Sequence, residues 1–209
     1  MNLRVQNFNL LPPLFNFSFQ SRTISLQSFN FTSISHQFRV FQGHLLFQAV
    51  YFFEQDSVDF ALNGDGINKG FLTIIEDYPR TEAANLSHFY TGSIYLSQKK
   101  FEDALTHLEE FSTDDYLVQA KAYSLIGDAN LELGKTEEAI AQYTKAARTN
   151  ENKFMSPKYL AKLAVAQEEA GKLEDAILTY TEIEEKYYES FEFAAARKHK
   201  ARLEGLAAK

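Results

Sequence analysis

Three alanines constrain this chain most: Ala104, Ala139 and Ala176 fall in register, 35 and 37 residues apart. They sit in three stretches that align along their length. The first is NLSHFYTGSIYLSQKKFEDALTHLEEF from Asn85, the second AKAYSLIGDANLELGKTEEAIAQYTKA from Ala120, and the third PKYLAKLAVAQEEAGKLEDAILTYTEI from Pro157. Leu108, Tyr143 and Tyr180 align four places after the alanines, and Gly92, Gly127 and Ala164 align before them. A self-similar unit of this length is a pair of secondary-structure elements that buries its apolar face only by stacking on neighbours.

Each copy carries two apolar stripes of helical period joined by a short turn. In the second copy Tyr123, Ile126, Gly127 and Asn130 share one stripe, and Ala139, Tyr143 and Ala146 share the other. Small residues at Gly92, Gly127 and Ala164, facing small residues at Ala104, Ala139 and Ala176, predict close helix approach. Gly134 and Gly171 stand where a left-handed residue ends the first helix; the first copy has Lys99 there.

At these residues the sequence resembles the tetratricopeptide repeat family, helix–turn–helix units of about 34 residues. The resemblance covers 82–186 and implies an all-α, right-handed solenoid of about four helix-turn-helix units plus a C-terminal capping helix. It lacks the family's Trp, with His88, Tyr123 and Leu160 in its place. A weaker unit precedes it over 43–81. LLFQAVYFFEQDSVDFAL (45–62) reads as one helix, and GFLTIIEDYP as the next, with Gly70 in register with Ala104 and Tyr78-Pro79 closing it. Residues 82–209 hold the repeats and the capping helix SFEFAAARKHKARLEGLAAK.

Residues 1–42 differ. No Asp, Glu or Lys occurs before Glu54, whereas all 28 acids follow from there. The segment reads as disordered or non-native, as an organellar transit peptide, or as strand-like from the alternation in LFNFSFQSRTISLQSFNFTSIS. FEQDSVDFALNGDG followed by GFLTIIEDYP is similar to the repeat domain of the bacterial ancillary Sec translocon subunits, of Bacteroidetes type. That resemblance implies the bacterial cell envelope, periplasmic or associated with the inner membrane. Those proteins carry a basic stub and a membrane-spanning helix before the repeats. This chain shows neither, because no apolar run of 18 residues occurs.

Composition and motifs exclude most chemistry. A formal net charge of −7 opposes non-specific nucleic-acid binding. With no cysteine there is no disulfide, thiolate site or thiol nucleophile. NGDG at 63–66 fails as a calcium loop: with Asn63, Asp65 and Gly66 at positions 3, 5 and 6, Ala61 and Leu72 fall on the outer ligand positions. It reads as a turn in which Asn63-Gly64 ends one helix and Asp65 or Asn68 caps the next. Neither a Walker-type loop nor GxSxG occurs, and the five histidines show no ligand spacing. The expectation is no enzyme, cofactor, metal site or small-molecule substrate. Arg197, Lys198, His199, Lys200 and Arg202 read as a solubilising cluster favoured by a helix C-terminus.

By the family's geometry, the groove-facing positions are Leu86, Phe89, Ser93 and Leu96; Lys121, Ser124, Asp128 and Leu131; then Lys158, Ala161, Val165 and Glu168. Some relatives clamp a peptide carboxylate with Lys and Asn. Phe89 and Ser93 stand at the first such pair here, so that clamp is missing. The resemblance implies a scaffold for other proteins or peptides, with a chaperone-like or complex-assembly role. Homodimerisation through groove or end surfaces is the alternative.

Overall fold

The computed structural model describes residues 31–207, with side chains from 43 to 206. Among the described residues there are ten α-helices and no strand. They are α1 (Phe31–Glu54), α2 (Val58–Asn63), α3 (Phe71–Asp77), α4 (Glu82–Ser97), α5 (Phe101–Glu110), α6 (Tyr116–Glu132), α7 (Thr136–Thr149), α8 (Ser156–Glu169), α9 (Leu173–Lys186) and α10 (Phe193–Ala207). From α3 onward each helix packs chiefly on its neighbours in sequence, which is the α-solenoid arrangement. No described helix is long and apolar enough to cross a membrane.

The turn chemistry explains the repeat. Lys99, Gly134 and Gly171 all have positive φ, at 61°, 72° and 74°. After each, a lysine N–H reaches back across the helix end: Lys100 to Tyr95 O at 2.9 Å, Lys135 to Asn130 O at 2.9 Å and Lys172 to Gln167 O at 2.8 Å. These are the bonds of a Schellman ending, which satisfies carbonyls the helix leaves bare. Each second helix begins at once, with its lysine as N-cap.

The small positions set the helix spacing. A Cβ on Gly127 would lie 2.6 Å from the Tyr143 ring, and one on Gly92 2.5 Å from Leu108. The aligned large residues therefore lie directly over the aligned small ones. Ala104, Ala139 and Ala176 are fully buried. The core is a chain of local clusters rather than one centre, and the largest spans Ala120 to Leu203.

α10 closes the array by burying Ala196 and Leu203. Its cations sit in mid-helix, not in the last turn. Lys200 meets Glu184 at 2.9 Å, Arg197 lies 4.0 Å from Glu184, and Arg202 pairs with Glu168. The macrodipole account is thus replaced: acids on α8 and α9 hold these cations, because α10 packs on α9 and its Arg202 reaches Glu168 of α8.

The N-terminal unit departs from expectation in three ways. The helix through 45–62 breaks at Gln55–Ser57, where Asp56 has φ 58°, and leaves α1 and α2. Gly70 is the N-cap of α3, as Lys100 is of α5. Ile74, not Gly70, therefore matches Ala104, and both are fully buried. Asp65 caps no helix. Its carboxylate accepts Ile67 N–H at 2.9 Å, Asn68 N–H at 2.7 Å and Asn68 Nδ2 at 2.9 Å, closing the loop on itself. Of the stretch 14–35 with strand-like alternation, only 31–35 lie among the described residues, and they open α1. Of the 1–42 segment read as disordered, non-native or a transit peptide, residues 1–30 lie outside the described residues and 31–42 belong to α1.

Candidate functional site

The first helices of the pairs, α4, α6 and α8, form one face. Its centre is a polar bridge between α6 and α8. Lys162 Nζ donates to Asp128 Oδ1 at 2.6 Å and Oδ2 at 2.7 Å, and to Ser124 Oγ at 3.2 Å. Tyr143, from α7, donates its hydroxyl to Asp128 Oδ1 at 2.7 Å. Burial, then the Asp128 charge, push the Tyr143 phenol far above its ordinary value, so it stays a donor. Burial lowers the Lys121 ammonium, and nearby Lys162 adds to that, while Asp128 opposes it. Lys158 also acts on Lys121. Three ammonium groups therefore share this part of the face, with one carboxylate among them.

Two hollows flank the bridge. One, about 390 Å³, lies among Leu96, Phe101, Asp128, Leu131 and Tyr143. The other, about 240 Å³ and mostly apolar, lies among Leu131, Tyr143, Ala161, Lys162 and Val165. Asp128, Leu131, Ala161 and Val165 are thus brought together, and Leu96 joins them from α4. Leu86 is half-buried and Lys158 is exposed.

Other groove positions are committed elsewhere. Ser124 is fully buried beneath Lys162. Phe89 packs on Phe111, with ring centroids 5.1 Å apart. Ser93 donates its hydroxyl to its own helix, at Phe89 O. Glu168 accepts Tyr180 Oη at 2.8 Å and pairs with Arg202, while His199 lies 3.4 Å away. Burial raises the Glu168 carboxyl, but these donors outweigh it and hold the group below its usual value.

Two features of the array escaped sequence reading. Lys162 aligns with buried Leu125, so its position reads as core. Its signal was a lysine standing where the preceding copy has leucine. The second is a His pair: His88 Nδ1 and His107 Nδ1 are 3.1 Å apart across α4 and α5.

The tetratricopeptide repeat family model matches residues 89–154 and, overlapping them, 124–190. Residues 89–190 are tetratricopeptide repeats. No curated protein matches the chain. The repeats so defined run from mid-α4 to the turn after α9, and the bridge and both hollows lie within them. At the position where the family has Trp, this array places His88 against His107, half-buried Tyr123 and fully buried Leu160. Among the described residues no three His, Asp or Glu side chains converge to hold a metal. This face presents charge beside apolar surface, and tetratricopeptide repeats as a family bind other proteins or peptides.

Proposed function

We propose that this chain is a protein-interaction scaffold whose α4–α6–α8 face holds a partner segment with a carboxylate beside an apolar side chain. One observation carries the reading. On an otherwise acidic protein, Lys121 stands within electrostatic reach of Lys158 and Lys162, Asp128 is the carboxylate that reaches it among the described residues and bonds Lys162, and an apolar hollow adjoins. The apolar side chain would enter between Leu131 and Val165, and the carboxylate would meet Lys121 or Lys158. Leu96 and the larger hollow extend the track toward α4. The role is recognition without covalent chemistry.

The finer reading is complex assembly, or chaperone-like contact, at the bacterial cell envelope. Its support is the likeness of FEQDSVDFALNGDG and GFLTIIEDYP to the ancillary Sec subunits. Crosslinking in a bacterial host tests it, with photoreactive residues replacing Leu131, Val165 or Lys158 and the exposed convex Leu178 as control. Envelope proteins captured from the three face positions and not from Leu178 support the proposal. Equal yields from all four positions contradict it.

A second reading is self-association. Phe47 and Tyr51 on α1 and Phe60 on α2 are exposed at the N-terminal end of the array. Light scattering decides it: a dimer that Phe47→Ser/Tyr51→Ser converts to monomer supports this reading, and a monomeric wild type removes it.

A further inference from the structure

Successive helices run antiparallel, so the turns after α5, α7 and α9 emerge along one edge. Each turn leaves an aromatic ring in solvent: Tyr116 at 65% exposure, Phe154 at 75%, and Tyr188 at 65% with Phe191 at 102%. The last two turns enclose a cleft of about 380 Å³. Phe154, Tyr188 and Phe191 wall it, and Glu189 and Glu192 line it.

The charges of this cleft are unevenly committed. Lys186 lines it but meets Glu182 at 3.1 Å, which Arg148 already holds through two bonds of 2.6 Å. Lys153 turns its ammonium over the Phe154 ring, 5.4 Å from the centroid. Glu189 and Glu192 form no ion pair among the described residues. Lys153 forms no ion pair among the described residues either, so what remains is a set of exposed rings beside two free carboxylates and one ammonium, a net negative lining. Ring faces and carboxylates both attract ammonium and guanidinium groups, and Lys153 already shows a cation seated on one of these rings.

We infer that this edge cleft is a second docking site, separate from the α4–α6–α8 face, and that it takes a basic segment of a partner protein. An arginine or lysine side chain stacks on Phe191 or Tyr188 while Glu189 and Glu192 neutralise it, and an apolar neighbour enters the cleft against Phe154. The carboxylates disfavour an acidic segment and an anionic lipid surface. The two sites thus select opposite charges, so one scaffold can hold two unlike partners.

Calorimetric titration of the full chain with a synthetic decapeptide of alternating arginine and leucine tests this. The counterpart with glutamate for arginine is the control. Binding of the basic peptide is expected to weaken about tenfold in F154A/F191A and in E189Q/E192Q, the loss of one cation–π contact and its carboxylate. These side chains are exposed, so the melting temperature should hold. E102Q/E109Q removes the same charge from α5 and is expected to leave binding intact. Four outcomes overturn the inference: no binding of the basic peptide, equal binding of the acidic one, equal weakening by E102Q/E109Q, or a dimer that the cleft substitutions convert to monomer.

Discussion

Tyr143 and Lys162 converge on one carboxylate: the Tyr143 hydroxyl and the Lys162 ammonium both bond Asp128, at 2.7 and 2.6 Å. One contact joins the helices of a repeat and the other joins neighbouring repeats. Lys162→Met leaves Asp128 half-buried with one donor and should cost about 1–3 kcal/mol. Combined with Tyr143→Phe, it should show a coupling of at least about 0.5 kcal/mol in a double-mutant cycle by urea unfolding. Strict additivity would mean the two contacts do not share the carboxylate.

Gly127→Ala should destabilise. The new methyl meets the Tyr143 ring at 2.6 Å. Overpacking of this kind costs about 1–3 kcal/mol, against a gain in helix propensity of about 1 kcal/mol. Urea titration measures the balance, and a more stable variant would show that α6 and α7 are not held apart by that ring.

Lys99→Gly should do the reverse. Lys99 has φ 61°, where the later repeats have Gly134 and Gly171. Relieving a left-handed non-glycine residue should stabilise by about 0.5–1 kcal/mol after the entropy of glycine is counted. A loss of stability would argue that the lysine side chain contributes more than its backbone costs.

Acid should act in two stages. Burial holds His88 below the ordinary imidazole value; burial and then the His88 charge do the same to His107. As pH falls through about 6.5, the unfolded chain takes up protons that the folded pair refuses, so stability drops. Lower down, the Arg148 hydrogen bond holds the Glu182 carboxyl below its usual value. Its contribution is present above about pH 4.5 and is lost as pH falls further. Melting temperatures from pH 8 to 3 should show both stages, and His88→Asn/His107→Asn should remove the upper one. A profile unchanged by that double substitution would refute the assignment.

The repeat was legible because its physics is local. A left-handed turn, a small residue and the large residue above it recur at one spacing, so Gly134, Gly127 and Tyr143 announce the helix pair without reference to the rest of the chain. The N-terminal unit was less legible. Gly70 looks like the small core position, yet it serves as an N-cap, and only the position of the cap moves the match to Ile74. The face was partly legible for a related reason. Family positions locate Leu131 and Val165, but a hydroxyl such as Ser124 can point inward, and Lys162 of α8 is held at the face only through Asp128 of α6, in the preceding repeat. Such long-range polar pairings leave no period in the sequence.

The central claim is that the α4–α6–α8 face selects acidic, apolar segments. Its most direct measurement is calorimetric titration of the full chain with a synthetic decapeptide of alternating glutamate and leucine, repeated with Lys121→Glu/Lys158→Glu. The account predicts binding that weakens at least about tenfold in the variant, as loss of two charge contacts implies, while melting temperature is kept. Binding unchanged by reversal of both lysines, or no binding to the wild type, would contradict it.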